Sequence, residues 1–391
     1  MPSTRRPALA VAAVTAVLAL TATACDSSDD TTESKAPSSS ESQQGTGDIK
    51  LPDNLDDKLK NLGVDLDDWK NGAWNKWNKD DWLREAGDFI NPIIKGLWKP
   101  DRMRDAQEPD QPVDDGDIDD QGVTDPDPKP VTAKEVGHPY SSNVPYAGKV
   151  FFDSPEGSMV CSATVVKDPA HPGKSNIVWT AGHCVHAGKG GGWYKNLMFV
   201  PSYNDAGKSA AELKNATKEE LAPKGVWWAD WAQTSSQWID NGAATGGKGA
   251  PYDFAVIHVK PENSGGKSLE ETVGGALPVD FKAPAVKSIK EITATGYPAA
   301  PPFDGQKMNQ CADKPGRLSL EAKQPTMYRV GCTMTAGSSG GGWVANGADG
   351  KPALVSNTSI GPSNATWLAG PHLGPEAKGV YNAVSKKFAS Q

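Results

Sequence analysis

The chain has 391 residues, a net charge of −8 at pH 7, 37% hydrophobic residues and 23% charged residues. The length allows roughly two or three domains, and the modest hydrophobic content indicates that part of the chain does not enter a packed core. Residues 1–130 carry 27 of the 48 acidic residues but only 15 of the 40 basic ones, and no dense cluster of Lys and Arg follows them, which argues against a nucleic-acid-binding protein.

The N-terminus has the composition of an export signal. Two arginines precede the apolar run PALAVAAVTAVLAL, and small residues then lead to Cys25. The run is well below the ~20 residues that a membrane-spanning helix needs, so a signal peptide over residues 1–25 is predicted. Cys25 resembles the lipid-modified cysteine of a bacterial lipobox, with Ala22 where Leu is usual, and cleavage after Ala24 is the alternative.

The chain has five cysteines, and an odd number needs an explanation in an exported protein. Lipidation of Cys25 provides one, since the other four cysteines can then pair. We therefore expect a protein anchored by lipid chains to the outer face of a bacterial cell membrane, or otherwise a secreted protein. No later segment is apolar enough to span a bilayer, so membrane contact is expected only through this anchor.

Three segments follow the signal. Residues 26–48 are almost entirely small, polar or acidic, which predicts a disordered tether. Residues 49–100 contain five tryptophans among Leu and Ile, and we expect one or two short helices whose tryptophans dock on the main domain; a pro-segment or a surface-binding module is the alternative. Residues 101–130 are rich in Asp and Pro and predict a solvated acidic linker, because DDGDIDD is followed by Gly122 where a calcium-binding EF-hand loop needs Glu. The tryptophans are Trp69, Trp74, Trp77, Trp82 and Trp98.

From Val131 the composition becomes that of a β protein. Short runs of β-branched and aromatic residues alternate with Gly, Pro and Asn clusters, as in GKVFF, CSATVV, NIVWTA, FAVIHV and MYRVGC. Such runs predict strands, and their number over residues 131–391 predicts a β-sandwich or a pair of barrels. Helical periodicity is confined to the C-terminal stretch KGVYNAVSKKFAS.

His183 and Asp253 are candidate catalytic residues. His183 lies in the small-residue turn TAGHC after a predicted strand, and Cys161 and Cys184 suggest a disulfide that fixes this turn. A fixed imidazole is what a general base requires. Asp253 opens the apolar strand DFAVIHV, where it either caps the turn or accepts a hydrogen bond from Nδ1 of the histidine. His258, further along the same strand, points to the opposite face and is interpreted as structural.

The stretch GSSGG at residues 337–341 offers a nucleophile. If Ser339 is that nucleophile, the glycines permit a tight turn, and the backbone N–H groups of Gly337 and Ser339 can form an oxyanion hole. Ser338 is the weaker candidate, because glycine precedes it but does not follow it. A glycine-serine run taken alone is more often a spacer, so the assignment depends on the other two motifs.

The motifs TAGHC, YDFAV and GSSGG, in this order, resemble those of the trypsin-like (chymotrypsin-fold) serine peptidase family. The likeness covers residues 131–391 and is greatest to the secreted bacterial branch related to glutamyl endopeptidases. It implies an all-β fold of two six-stranded antiparallel β-barrels, to which the sequence adds a short C-terminal helix. It also implies a catalytic triad of His183, Asp253 and Ser339 in the cleft between the barrels.

The resemblance further implies a disulfide between Cys161 and Cys184. Cys311 and Cys332 remain and most simply pair with each other, and such bridges suit an oxidising compartment outside the cell. Ser356, in the predicted strand after the nucleophile, aligns roughly with a family serine that contacts the triad aspartate.

Three departures from the family bear on activation and specificity. Ser338 stands where digestive members carry the Asp that receives a new N-terminus, so activation by that ion pair is not expected. Thr333 stands where trypsin has the Asp of its specificity pocket, which argues against cleavage after Lys or Arg. The stretch LVSNTSIG lacks the His with which glutamyl endopeptidases bind Glu, and its nearest polar residues are Ser356 and Asn357. We therefore expect a small, polar-lined substrate pocket.

These features predict a monomeric serine endopeptidase that acts on protein or peptide substrates and uses no cofactor and no metal. A second class stays open: a non-catalytic cell-surface binding lipoprotein that keeps the fold and uses tryptophan-rich segments, such as residues 226–238, as a binding surface. An esterase of the α/β-hydrolase type also uses a G-x-S-x-G motif. It requires the order Ser, Asp, His, and only His372 follows Ser339.

Overall fold

The computed structural model describes residues 91, 93–109, 111–118, 123–263, 265–347 and 349–391. The predicted signal peptide, the lipid anchor at Cys25, the tether over residues 26–48 and four of the five tryptophans of residues 49–100 lie outside these ranges. Within them, every helix is too short or too polar to cross a lipid bilayer.

The elements are short and are joined by many turns. The strands are β1 (Lys134–Glu135), β2 (Ala147–Ser154), β3 (Gly157–Val166), β4 (Ile177–Thr180), β5 (Lys195–Pro201), β6 (Trp227–Thr234), β7 (Ala255–Pro261), β8 (Ile292–Gly296), β9 (Asn309–Asp313), β10 (Gly316–Leu318), β11 (Met327–Gly331), β12 (Gly342–Asn346), β13 (Pro352–Asn357) and β14 (Trp367–Gly370). The α-helices are α1 (Pro100–Asp105), α2 (Tyr140–Asn143), α3 (Ala210–Leu213), α4 (Lys218–Leu221), α5 (Ser236–Asn241), α6 (Leu269–Val273) and α7 (Pro375–Phe388). Turns of 3₁₀-helix lie at Asp115–Asp117, Gly182–Cys184, Ala250–Tyr252 and Val286–Ser288.

Strands β2 to β7 close into a six-stranded antiparallel barrel in the order β2-β3-β4-β7-β6-β5. Their β-branched and aromatic residues favour the pleated backbone and fill the interior. Val150, Phe199 and Ile257, one from each of three strands, are fully buried in the core of this barrel. The first of the two predicted barrels is confirmed.

The second half contains two antiparallel sheets, one in the order β1-β9-β8-β12-β13 and the other in the order β10-β11-β14. Both contribute to one hydrophobic core, in which Ala294, Val330 and Trp343 are fully buried. The predicted disulfide Cys311–Cys332 is present and ties β9 to the end of β11. The predicted all-β fold is confirmed, and the strands of the second half are arranged in these two sheets.

The C-terminal helix α7 packs against β6 and β7 of the barrel, as the helical periodicity predicts. The spacing of its apolar residues places them on one face. The buried residues of that face include Ala377, Val380, Tyr381, Val384 and Phe388. The ring of Phe388 stacks on the imidazole of His258 with centroids 3.7 Å apart, and Asp230 Oδ1 lies 2.6 Å from Nδ1 of that histidine. His258 thus takes part in packing this helix.

Trp98 docks on the barrel, as predicted for the tryptophans of residues 49–100. Its indole N–H donates to the backbone oxygen of Asn196 at 2.8 Å, and its side chain is fully buried. The guanidinium of Arg102, one turn into helix α1, lies 4.2 Å from the centre of the indole ring, a distance at which cation and ring attract each other.

The described part of residues 101–130, for which a solvated acidic linker is predicted, makes contacts with both halves of the fold, while its acidic side chains are exposed or half-buried. The Arg102 guanidinium donates to both carboxylate oxygens of the fully buried Asp153, at 2.6 and 2.7 Å. Further along, Asp127 pairs with Arg329, whose side chain is only 1% exposed. Composition alone does not reveal these ion pairs, because the partners of Arg102 and Asp127 lie far away in the sequence.

Candidate active site

The turn that carries His183 is fixed by its surroundings, and the imidazole is 2% exposed. Gly182 has no room for a side chain, because a Cβ there would lie 2.9 Å from Oδ1 of Asp253. The predicted disulfide Cys161–Cys184 is present and joins the turn to β3. These two cysteines and His183 lie within 4.8 Å of one another, but sulfurs joined in a disulfide have no thiolate to offer a metal ion.

The antiparallel pairing of β4 and β7 brings Asp253 to His183. Thr180 lies opposite Ala255, so the residues just beyond these two strand ends meet at one edge of the barrel. Oδ1 of Asp253 accepts the backbone N–H of His183 at 2.8 Å, and Oδ2 lies 2.7 Å from Nδ1. Because a buried carboxylate accepts the Nδ1–H, Nε2 is left as the basic nitrogen. Nε2 has no hydrogen-bond partner in the described part of the chain.

Ser339 lies in a turn that packs against the loop carrying His183. Gly337 and Gly340 in this turn have φ angles of +92° and +77°, which residues with a side chain rarely adopt. A Cβ on Gly340 would lie 2.9 Å from the backbone nitrogen of Ala181, so the turn passes beside the loop that carries His183. The fold therefore brings the three residues of the predicted triad into one region.

Ser162 of β3 holds this turn from the other half of the fold. Its backbone N–H donates to the oxygen of Ser339 at 2.7 Å, and its hydroxyl donates to the oxygen of Gly337 at 2.9 Å. The hydroxyl oxygen also accepts the backbone N–H of Tyr297 at 2.8 Å. No motif marks Ser162 in the sequence beyond its position after Cys161, and only its place opposite the turn reveals what it does.

The two adjacent serines have different environments. The hydroxyl of Ser338 donates to the backbone oxygen of Thr335 at 2.7 Å, so it is already engaged. Ser339 lines a cleft, and its hydroxyl has no hydrogen-bond partner among the described residues. The backbone N–H groups of Gly337 and Ser339 likewise have no acceptor there, so both can bind the oxyanion of a reacting carbonyl group.

The cleft beside Ser339 has a volume of about 620 Å³. Thr333 lines it, as the sequence predicts for a specificity residue, and its hydroxyl oxygen accepts the backbone N–H of Ala133 at 2.9 Å. Other hydroxyl groups and several apolar side chains complete the lining, and none of the described lining residues is charged. The hydroxyl-bearing residues of the lining besides Ser339 are Thr132, Thr333, Thr335, Ser338, Thr358, Ser359 and Ser363.

The contact expected of Ser356 is made by Ser359. The Ser359 hydroxyl donates to Oδ2 of Asp253 at 2.6 Å, whereas Ser356 is fully buried and donates to the oxygen of Pro371 at 2.8 Å. The prediction for Ser356 is therefore wrong. Strand β13 ends at Asn357, and the chain reaches the carboxylate only after it has left the strand. The second serine of SNTSIG is the signal that could have found it.

Lys149 of β2 supports one wall of the cleft. Its ammonium group donates to the backbone oxygen of Gly305 at 2.8 Å, at the end of the loop whose residues Ala300 to Phe303 line the cleft. The side chain is 1% exposed. Burial lowers the pKa of Lys149 to about 7, although the carboxylates of Asp304 and Glu108 favour the charged form.

We expect Lys149→Met to change how stability depends on pH. Between pH 7 and about 10 the unfolded chain keeps a proton on this lysine that the folded protein has lost. The free energy of unfolding of the native chain therefore rises with pH in this window, by up to about 1.4 kcal/mol per pH unit from this group. Below pH 7 both states carry the charge and the contribution is flat.

The measurement is urea unfolding of the native chain and the Lys149→Met variant from pH 6 to pH 9. The difference in unfolding free energy should be constant up to pH 7 and then shift in favour of the native chain. Lys290→Met, at an exposed lysine, is the control and should show no such shift. A difference for Lys149→Met that is independent of pH would contradict the prediction.

The known proteins that this chain matches are ones with solved structures. No protein-family model matches the chain, and no curated protein does. A thermostable serine protease from an extremophilic microorganism is 32% identical, with 62% of this chain and 97% of that chain covered and a TM-score of 0.49. The protease Anisep from Arthrobacter nicotinovorans is 27% identical, with 65% and 99% covered and a TM-score of 0.49. A Glu endopeptidase is 18% identical, with 68% and 100% covered and a TM-score of 0.46.

Proposed function

The chain belongs to the trypsin-like, chymotrypsin-fold family of serine peptidases, and on that premise we propose that it is itself an active serine endopeptidase. One observation carries the proposal: the Asp253 carboxylate fixes Nδ1 of His183 at 2.7 Å, while Nε2 has no partner within the described residues. In a general base, a carboxylate fixes one ring nitrogen and the other nitrogen is left able to accept a proton, which is the arrangement seen for His183.

The proposed mechanism assigns one task to each residue. Oγ of Ser339 attacks the scissile carbonyl carbon while Nε2 of His183 takes its proton, and the N–H groups of Gly337 and Ser339 bind the oxyanion. His183 then gives the proton to the leaving amine, which completes the acyl-enzyme. A water molecule, deprotonated by His183, releases the acyl group and restores Ser339. Throughout, Asp253 holds the ring and stabilises the imidazolium.

The cleft supports a preference for uncharged substrate side chains. A buried charge without a partner is costly, and none of the described residues that line the cleft offers a counter-charge to Lys, Arg, Glu or Asp. Thr333 offers an uncharged hydroxyl group instead. The expected substrates are proteins or peptides with a small or polar uncharged residue before the scissile bond.

The proposal is tested by labelling the full chain with a fluorophosphonate, in which the nucleophilic serine oxygen displaces fluoride, and by assaying casein hydrolysis. We expect one adduct per chain, located on Ser339 by tandem mass spectrometry, together with casein cleavage. An adduct on Ser338, or none at all, would contradict the mechanism. Labelling of Ser339 without cleavage of casein or of a mixed peptide library would favour an esterase, and the absence of both would favour the binding lipoprotein.

We also propose that the protein is exported and held at the cell surface through lipid on Cys25. The two disulfides, Cys161–Cys184 and Cys311–Cys332, support an oxidising compartment. Mass spectrometry of the N-terminus of the mature protein, recovered from membranes and from medium, distinguishes a lipid-modified Cys25 from a plain cut after Ala24. An unmodified N-terminus in both fractions would contradict lipid anchoring.

A further inference from the structure

A short extended segment before the main domain crosses from one half of the fold to the other. Near its start, the backbone N–H of Gln107 donates to the oxygen of Ser158 at 2.8 Å, and the oxygen of Gln107 accepts the N–H of Val160 at 2.7 Å. Near its end, the N–H of Val113 donates to the oxygen of Gly361 at 3.1 Å. The segment is therefore attached to β3 of the barrel and to the stretch that follows β13.

That second attachment point lies at the active site. Ser359, two residues before Gly361, is the residue whose hydroxyl binds the carboxylate of Asp253. Gly361 lines the same cleft as Ser339, and so does Gln111 of the crossing segment. The segment thus enters the cleft that a substrate must use.

The backbone of residues 359–361 has two hydrogen-bonding edges. One edge pairs with Ala369, and the crossing segment occupies the other. The N–H of Ser359 donates to the oxygen of Ala369 at 3.0 Å, and the N–H of Ala369 donates to the oxygen of Ile360 at 2.8 Å. The oxygen of Gly361 is taken by Val113, and Pro112 forms a parallel β-bridge with Gly361. Extended peptides bind proteins by adding a strand at such an edge through main-chain hydrogen bonds.

The side chain of Val113 fills an apolar pocket beside this edge. Val113 is 1% exposed, and its cluster joins Ala250, in the turn just before Asp253, to Ile360. Gly247 leaves room for it: a Cβ there would lie 2.8 Å from Cγ2 of Val113, and the φ angle of Gly247 is +66°. The other members of the cluster are Leu318, Leu320, Met327, Trp367 and Ala369.

We propose that the stretch Gln111–Val113 is a built-in occupant of the peptide-binding edge and that it competes with the peptide substrate for this edge. The inference rests on the proposed peptidase function. A tethered occupant competes with substrate at an effective concentration set by its tether. Substrate must displace it, so its presence raises KM and leaves kcat unchanged.

The test uses two replacements of Val113 in the full chain. Val113→Pro removes the N–H that binds Gly361, and Val113→Asp places a carboxylate in the apolar pocket. Val123→Pro, at an exposed valine further along the chain, is the control for introducing a proline. Hydrolysis of a chromogenic tetrapeptide amide with an aliphatic residue distant from the scissile bond is measured, and rates are normalised to the active-site concentration titrated with fluorophosphonate.

Both Val113 variants should lower KM by at least about tenfold, the change that corresponds to 1.4 kcal/mol of lost competition, and keep kcat within about twofold. Val123→Pro should match the native chain. An unchanged KM in both Val113 variants, whatever their melting temperatures, would overturn the proposal and make the segment a structural strap. If neither the native chain nor any variant reacts with the fluorophosphonate, it is the proposed function that fails.

Discussion

Replacing Ser339 with alanine is expected to lower kcat for peptide hydrolysis by about 10⁶-fold, the loss seen when the nucleophile of such a triad is removed. Only Oγ disappears in this variant. The backbone oxygen of Ser339 still accepts the N–H of Ser162, so the turn and the two oxyanion donors keep their positions. The residual rate therefore reports what those donors and substrate binding achieve without a nucleophile.

Ser338→Ala is the matched control, because it removes the same atom from the neighbouring residue. The Ser338 hydroxyl donates to the oxygen of Thr335, so its loss should cost about 1 kcal/mol of stability and should leave kcat within about tenfold of the native value. Single-turnover measurements on both variants, with circular dichroism to check the fold, decide the matter. Full activity in Ser339→Ala, or its loss in Ser338→Ala alone, would exchange the roles of the two serines.

Asp253→Asn is expected to lower kcat by about 10⁴-fold, the size found for this replacement in other Ser–His–Asp triads. Both carboxylate oxygens are acceptors here: Oδ1 receives the backbone N–H of His183, and Oδ2 receives Nδ1–H and the Ser359 hydroxyl. An amide has only one such oxygen. If its NH₂ group faces Nδ1, the ring proton must move to Nε2, and the base is lost. If it faces the backbone of His183, two N–H groups confront each other.

Ser359→Ala provides the graded comparison, because it removes one donor to Oδ2 and leaves both contacts with His183. Its kcat should fall by about tenfold at most, in keeping with the loss of one hydrogen bond. The pH dependence of kcat/KM for the three proteins is the readout. A purely structural role for Asp253 would lower stability in Asp253→Asn but leave kcat per correctly folded molecule near the native value, and that result would exclude the proposed mechanism.

The proximity of His183, Asp253 and the turn that carries Ser339 could be predicted from the sequence because the three motifs are local. TAGHC, YDFAV and GSSGG each combine a reactive residue with the small residues or the strand that hold it. The same locality explains the success with the barrel strands and with helix α7. Cysteine pairing was accessible through the family resemblance, which implies the disulfide between Cys161 and Cys184 and leaves Cys311 and Cys332 to pair with each other.

The features missed are those that depend on contacts between distant parts of the chain. Ser359 differs from Ser356 only by where the backbone leaves β13, which counting along a strand does not reveal. The acidic composition of residues 101–130 suggests solvation, yet Arg102 and Arg329 pair with Asp153 and Asp127 across the fold. A valine between a proline and two aspartates, as in QPVDDG, carries no local sign that it occupies a pocket beside the Ser339 cleft.

Ser162 has a consequence for how this protein can be rebuilt. One residue of the first barrel, through its N–H and its hydroxyl, holds the backbone of the Ser339 turn that the second half supplies. The two halves are therefore not interchangeable modules. A chimera that joins the first barrel of one relative to the second half of another would keep its geometry only if residue 162 and the turn at residues 337–341 were inherited together, as a single unit split across two places in the chain.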